Sequence, residues 1–175
     1  MRFRAVLLFS TFVLLLSISP IDRIQKKINK EIKSAFKIDN YIIKPIYIDS
    51  LIIDSLPSKF NNNFNMVYNN GILIGYSYYS KAPSLYNLYD YLIILDKSLK
   101  IKKSKILAYR EDYGGEIASR SWLSQFINKS FNSNFKYSID ISAISGATIS
   151  VKSMIIAVEN FMASVKILDE NNILR

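Results

Sequence analysis

Ser145, Gly146, Ala147 and Thr148 stand where an irregular segment of the chain gives way to a helical pattern. Apolar residues then recur at three- and four-residue spacing, namely Val151, Met154, Ile155, Val158, Phe161, Met162, Val165 and Leu168. Thr148 therefore lies at a helix entrance, where free backbone N–H groups and the helix dipole would stabilise a phosphate. Gly146 allows close approach of the backbone, and Thr148 offers a hydroxyl. The alternative is that Ser145 or Thr148 merely caps the helix.

The sequence contains no cysteine and no histidine. Without cysteine there are no disulfides, iron–sulfur ligands or c-type haem attachment. Without histidine, general-base catalysis by imidazole and most transition-metal sites are excluded. Any redox chemistry must therefore come from an organic cofactor, which favours a flavin.

The segment from Ser145 to Thr148 resembles the flavinylation motif of the FMN-binding domain family. That family includes the C subunit of the sodium-pumping NADH:quinone reductase and the G subunit of Rnf complexes. Its motif reads Asp-x-x-Ser/Thr-Gly-Ala-Thr, and a flavin transferase joins the FMN phosphate to the threonine. The resemblance implies FMN as the cofactor, Thr148 as its acceptor and a flavin transferase as a partner. The family's aspartate falls at Ser142, which can still hydrogen-bond the backbone, and the nearest aspartate is Asp140.

A second segment, from Tyr109 to Leu123, is similar to the same family. In the family's segment a strand ends in an acidic residue, and a glycine-containing turn and a helix follow. We expect Gly114 and Gly115 to let the backbone approach the flavin, the alternative being a simple turn. Glu111 either tunes the flavin, orients a partner or is a surface carboxylate. The resemblance extends over about residues 70–165.

Aromatic and basic side chains near these motifs are candidate cofactor contacts. Tyr113 and Trp122 flank the glycine turn, so we expect them to stack on the flavin ring. Lys81 and Arg110 are candidates for its phosphate or ribityl oxygens. Most members of a further tyrosine series fit the core or a sheet face better, the series being Tyr76, Tyr78, Tyr79, Tyr86, Tyr89, Tyr91 and Tyr109.

The elements that position these residues are predicted by periodicity and turn signals. Residues 66–68 and 72–80 form a hairpin around Asn69-Asn70-Gly71, and residues 89–96 and 101–109 form two more strands. We expect Lys81-Ala82-Pro83-Ser84 to break a strand, and residues 117–128 to form a helix. Strands joined by hairpins and followed by helices indicate an α+β fold, an antiparallel sheet with packed helices.

The first twenty residues predict a signal sequence or a membrane anchor. Arg2 and Arg4 precede an apolar run from Ala5 to Ile18, and Ser19-Pro20 follow. An uncleaved anchor is favoured, because Pro20 would be a poor first residue after cleavage. The two arginines would hold the N-terminus in the cytoplasm and leave the rest extracytoplasmic, in a bacterial periplasm. The alternative is a buried N-terminal core helix.

The formal charge of +9 is concentrated just after this run, between Arg23 and Lys37. No nucleic-acid recognition motif accompanies the cluster, so no nucleic-acid partner is expected. Ile21, Ile24, Ile28, Ile32 and Phe36 recur at helical spacing among the lysines. This amphipathic helix either lies on a membrane surface or packs on the domain. Residues 41–53, interrupted by Pro45, predict one or two short extended segments.

The sequence thus predicts three parts: a signal or anchor at 1–20, an amphipathic helix with a connecting segment at 21–65, and an FMN-binding domain at 66–175. The predicted function is that of an extracytoplasmic, membrane-associated electron-transfer flavoprotein with FMN covalently linked to Thr148. It would relay electrons between a membrane reductase and a neighbouring acceptor, which makes the word enzyme a matter of definition. The alternatives are a flavin-dependent reductase with noncovalent FMN and a cofactor-free interaction module.

Overall fold

A computed structural model describes residues 20–174, with side chains from Arg23 onward. The apolar run from Ala5 to Ile18, predicted as a signal or anchor, lies outside the described residues. Within residues 20–174, no helix has both the length and the apolar character needed to span a bilayer.

A single five-stranded antiparallel sheet organises the described residues. Its strands stand in chain order: β1 (Ile42–Pro45), β2 (Phe64–Asn69), β3 (Ile72–Pro83), β4 (Leu88–Asp96) and β5 (Ile101–Ala108). The tight turn between β2 and β3 uses Asn70 and Gly71, with φ of 50° and 79°. Positive φ at both central residues is what an Asn-Gly hairpin turn requires, so this prediction is confirmed.

Helices flank the sheet and complete the predicted α+β fold. They are α1 (Pro20–Phe36), α2 (Ser50–Ile53), α3 (Arg120–Leu123) and α4 (Thr148–Glu170), with 3₁₀ turns at Gly115–Ala118 and Ser124–Phe126. The apolar spacing after Thr148 thus predicted α4 correctly.

The sheet has a helix on each face. On one face, Phe161 of α4 stacks on Tyr78 of β3 with ring centroids 4.1 Å apart. On the other, Ile28 and Ile32 of α1 pack with Leu92, among a buried apolar cluster. The lysine-rich helix therefore packs on the domain, which is one of the two alternatives that the sequence left open. β1 pairs with β2 in the same sheet as the strands of the predicted domain, and α1 packs on that sheet.

Two local predictions were wrong, and a third holds only in part. β3 does not break at Lys81 but continues to Pro83, because Ala82 pairs with Tyr89 of β4. Proline is tolerated there as the last residue of the strand. Of the one or two extended segments predicted over 41–53, one is present as β1. The segment Ser50–Ile53 is instead a helical turn, because the Asp49 carboxylate accepts the N–H of Leu51.

The single helix predicted over 117–128 is also wrong. The chain makes a 3₁₀ turn, the short α3 and a second 3₁₀ turn instead. Ser119 interrupts the first turn and caps α3, its hydroxyl accepting the N–H of Trp122 at 3.2 Å. Asn128 then adopts a left-handed φ of 64°, and its N–H donates to the carbonyl of Ile101 at 2.8 Å. These local breaks fold the segment against β5.

Candidate functional site

Three chain segments meet at one end of the sheet and enclose a cavity of about 320 Å³. They are the turn between β3 and β4, the segment that follows β5 and the start of α4. The lining residues are Leu85, Tyr86, Tyr109, Glu111, Asp112, Tyr113, Gly146, Ala147, Thr148, Ile149 and Ser150. The structure thus brings five predicted residues together, namely Glu111, Tyr113, Gly146, Ala147 and Thr148. They come from the two separate sequence motifs.

Thr148 is the exposed first residue of α4, a helix of 23 residues. The residue at the N-cap is Ala147, and no side chain makes a capping hydrogen bond. The alternative that Ser145 or Thr148 serves as the cap is therefore wrong. The first N–H groups of a helix have no acceptor within it, so this end offers uncapped donors beside the Thr148 hydroxyl. Such an end stabilises an anion.

The first turn of α4 is fixed to the sheet through Ser150. Its hydroxyl bonds the phenol oxygen of Tyr109 at 2.9 Å, and its carbonyl accepts from the Tyr89 phenol at 2.9 Å. The Tyr89 oxygen also lies 2.9 Å from the Ser153 hydroxyl. Burial raises the pKa of the Tyr89 phenol well above its ordinary value, so this group stays protonated as a donor. Strand β4 and the segment that follows β5 therefore set the position of the helix start.

The two motifs touch at Gly114, which has a left-handed φ of 74°. A Cβ built on Gly114 would clash with Ala147 and would also lie within 4 Å of Gly146. Gly146 also has a left-handed φ, of 75°. Gly115 differs from both, because it has ordinary φ and no heavy atom near the Cβ position. Gly114 is thus the closely packed glycine of the predicted pair.

Glu111 builds one wall of the cavity. Its Oε1 atom accepts from the Ser84 hydroxyl at 2.5 Å and from the backbone N–H groups of Tyr86 and Asn87 at 2.9 and 2.8 Å. These hydrogen bonds, that of Ser84 first, lower the pKa of the Glu111 carboxyl. The carboxylate thereby holds the turn that carries Leu85 and Tyr86.

The segment before α4 is held by a different set of contacts. The carbonyl of Ser142 accepts from the Trp122 indole N–H at 2.8 Å, while its amide and hydroxyl donate to the side-chain oxygen of Gln125, both at 2.8 Å. Ser142 thus bonds a side chain through its hydroxyl, rather than the backbone. Asp140 accepts the N–H of Lys136 within a neighbouring turn.

Several predicted contacts do not reach the cavity. Trp122 is buried against Phe126, ring centroids 5.4 Å apart, and offers no open ring face. Ser145 and Gly115 are exposed but do not line the cavity. Lys81 and Arg110 instead flank Asp90, which is buried on the α1 face of the sheet.

Sequence reasoning missed the β3–β4 turn. Leu85 and Tyr86 carry no local signal for a site, since their position depends on Glu111, which is distant in sequence. Tyr86 and Tyr109 were assigned with the core and sheet tyrosines, yet both line the cavity. Of that series, Tyr76, Tyr78, Tyr89 and Tyr91 are indeed buried.

The arrangement has two chemically different ends. The helix start supplies backbone donors and a hydroxyl, whereas Leu85, Tyr86, Tyr113 and Ile149 supply an apolar and aromatic mouth. A ligand that carries a phosphate at one end and a flat aromatic system at the other fits both. These residues therefore fit FMN.

Comparison with known proteins agrees with this geometry. Residues 89–163 match the model of the FMN-binding domain family, which confirms the predicted resemblance and supports FMN as the cofactor. Among solved structures, the crystal structure of Shewanella oneidensis NqrC is similar, with a TM-score of 0.55 over 84% of this chain and 99% of that chain. The identity is 13%, so this likeness concerns the fold. A search of curated protein sequences gave no match.

Proposed function

We propose that this chain, through its FMN-binding domain, is an electron-transfer flavoprotein in which FMN is esterified to the Thr148 hydroxyl. One observation carries the proposal: Thr148 is exposed at the uncapped start of α4, inside a cavity shared with the second motif. The attached FMN would supply reversible acceptance and release of electrons. The protein side chains offer no redox chemistry of their own to replace it.

The attachment reaction balances with FAD as the donor and a flavin transferase as the catalyst. The Thr148 oxygen forms a bond to the FMN phosphorus, the pyrophosphate bond of FAD breaks, and AMP leaves. The hydroxyl proton is released. A helix dipole stabilises a phosphate by only about 0.3–2 kcal/mol. A covalent link therefore retains the cofactor where dilution would remove a weakly bound one.

The chain's own residues have separate tasks in this proposal. The N–H groups at the start of α4 face the phosphate, and Tyr89 and Tyr109 keep them in place through Ser150. Glu111 keeps Tyr86 at the mouth through the backbone of the β3–β4 turn. Tyr113 is exposed and also lines the cavity, so it supplies a second aromatic ring beside that of Tyr86.

The proposed setting is the extracytoplasmic side of a bacterial membrane. Support comes from the basic residues Arg2 and Arg4 before the apolar run at the start of the sequence. Electrons would arrive from a membrane reductase and leave to a neighbouring acceptor. A reporter fused after Arg175 should then be active outside the cytoplasm, and activity inside would contradict the setting.

The test of attachment is intact mass. Coexpression with an active flavin transferase should raise the mass of the wild-type chain by one FMN less water, and Thr148→Val should abolish the increase. Ser98→Ala is the matched control, because it removes an exposed hydroxyl in the turn between β4 and β5, outside both motifs, and should leave labelling intact. An unchanged wild-type mass, with a positive control substrate labelled, would refute the ester. Flavin colour that is lost on denaturation would then favour the noncovalent reductase.

A further inference from the structure

The mouth of the Thr148 cavity is surrounded by exposed apolar side chains. Tyr86 and Tyr113 are 83% and 79% exposed, and Leu85 and Ile149 are also open to solvent. Leu88 is exposed in the adjoining groove, which Leu85 and Tyr86 also line. We call these five residues the apolar rim. They come from three separate chain segments, so the patch is assembled by the fold. Contiguous exposed apolar surface of this kind marks a contact site.

The start of α1 lies at the same end of the molecule. Lys27 donates to the carbonyl of Leu107 at 2.5 Å, and Glu31 pairs with Lys103 at 2.5 Å. α1 therefore runs antiparallel to β5. With a rise of about 1.5 Å per residue, Pro20 lies about 10 Å beyond Lys27 in the direction of the residues that follow β5. Residues 1–19, with their apolar run, therefore join the domain at the rim end.

Positive charge accompanies the rim. Arg23, Lys26 and Lys27 are exposed on the first turns of α1. Lys81 and Arg110, about half exposed, line a groove together with Leu85 and Leu88.

The acidic groups at this end weaken that charge only in part. Asp90 is buried against Arg110, and the Glu111 carboxylate is turned onto the β3–β4 turn. Asp112 is exposed. Apolar and tyrosine side chains beside lysine and arginine are typical of surfaces that bind anionic lipid headgroups.

We propose that the apolar rim rests on an anionic lipid surface, so that the mouth of the Thr148 cavity faces the membrane. Leu85, Tyr86 and Leu88 enter the headgroup region, while the cations of α1 and the β3–β4 groove meet lipid phosphates. The orientation follows from the rim and the start of α1, and it does not require a covalent flavin. It does specify that an electron partner of this site lies at the membrane rather than in the bulk phase.

Because the chain has no cysteine, one label can be introduced at a time. Tyr86→Cys places a label in the rim. Ile72→Cys is the matched control, since Ile72 is also an exposed apolar residue but begins β3 at the opposite end of the sheet. The 12 residues of β3 span about 40 Å.

The full-length chain, labelled with a polarity-sensitive fluorophore, is reconstituted in vesicles of phosphatidylcholine and phosphatidylglycerol that carry nitroxide-labelled acyl chains. We expect quenching at position 86 to exceed that at position 72 at least threefold. Equal quenching, stronger quenching at position 72, or no association with vesicles would overturn the proposal.

Two further measurements test whether quenching at position 86 depends on anionic lipid and whether it is independent of FMN attachment. Omitting phosphatidylglycerol should reduce quenching at position 86, and an unchanged value would refute the anionic component. Intact mass of the same samples reports FMN attachment independently. If the mass shows FMN attached but position 86 is not quenched, the orientation alone is refuted. If position 86 is quenched but the transferase adds no FMN to the chain, only the proposed cofactor link is refuted.

Discussion

Gly114 packs directly against Ala147, and a Cβ placed on Gly114 would lie 2.4 Å from the Cβ of Ala147. The glycine belongs to the motif that follows β5, and the alanine is the N-cap of α4. This contact is the point where the two sequence motifs are joined. A side chain at position 114 would separate them.

The first prediction concerns this contact. Gly114→Ala should lower the free energy of unfolding by about 1–3 kcal/mol, because it adds a steric clash to a left-handed φ. It should also reduce FMN incorporation at Thr148 by displacing the helix start. Gly115→Ala is the control and should stay within about 0.5 kcal/mol of wild type. Urea unfolding and intact mass provide the two measurements. Equal behaviour of both variants would show that the close packing is not required.

The second prediction concerns the position where the family motif has an aspartate. Ser142→Asp should raise the extent of flavin labelling if the transferase recognises that carboxylate. It should also destabilise the fold, because a carboxylate cannot donate to the Gln125 side-chain oxygen as the serine hydroxyl does at 2.8 Å. Labelling time courses and thermal melts measure the two effects. Ala143→Asp adds the same charge one residue later, and an equal gain there would point to charge rather than motif recognition.

The fold was predictable where local signals agree with tertiary contacts. Asn70 and Gly71 specify the β2–β3 turn by themselves, and the apolar spacing after Thr148 specifies α4. Prediction failed where a distant partner decides the outcome. Lys81 remains in β3 because it pairs with Asp90 of β4. The local sequence around Pro83 gives no indication of that pairing.

The site divides in the same way. Thr148, Gly146 and Glu111 belong to motifs, so the sequence predicts them directly, and all three line the cavity. Tyr86 lines the same cavity only because Glu111 holds its backbone, a contact between residues 25 apart in sequence. Trp122 was assigned to the flavin because it follows the glycine turn, but its indole N–H is used by Ser142. Spacing along the chain indicates which residues are close in sequence. It does not determine on which side of a turn an aromatic ring lies.

The third prediction tests the anchoring of α4. Tyr89→Phe removes the hydrogen bonds to Ser150 and Ser153 and should cost about 1 kcal/mol of stability. It should also slow flavin attachment, because the first turn of the helix is released. Tyr76→Phe is a control at the opposite end of the helix, where the phenol donates to the carbonyl of Leu174. We expect similar destabilisation there with unchanged attachment rate, and equal slowing in both variants would indicate a general loss of order.

The fourth prediction is a pH dependence carried by Glu111. Its hydrogen bonds to Ser84 and to the turn backbone lower its pKa from the ordinary value of 4.5. A carboxyl with a lowered folded-state pKa stabilises the protein above its unfolded-state pKa, and that stabilisation is lost as the pH falls through the folded-state value. Glu111→Gln should therefore be less stable than wild type at pH 7, with the difference shrinking below pH 4.5.

Urea unfolding at several pH values measures this difference. Glu116→Gln is the control, because Glu116 is exposed in the 3₁₀ turn Gly115–Ala118 and does not line the cavity. A stability gap between wild type and Glu111→Gln that stays constant with pH would contradict the assigned hydrogen bonds. The same variant should show changed flavin absorbance, since the turn carrying Tyr86 is released.

The order of the strands has a consequence for how the protein folds. Each strand pairs with the next one along the chain, so the sheet can form from short-range contacts. The cavity, by contrast, joins residues 85–86 with residues 146–150 and needs a long loop to close. The sheet should therefore form before the flavin site exists. In the proposed attachment, a flavin transferase that recognises the assembled site would act only on folded chains, and attachment would be a late step in maturation.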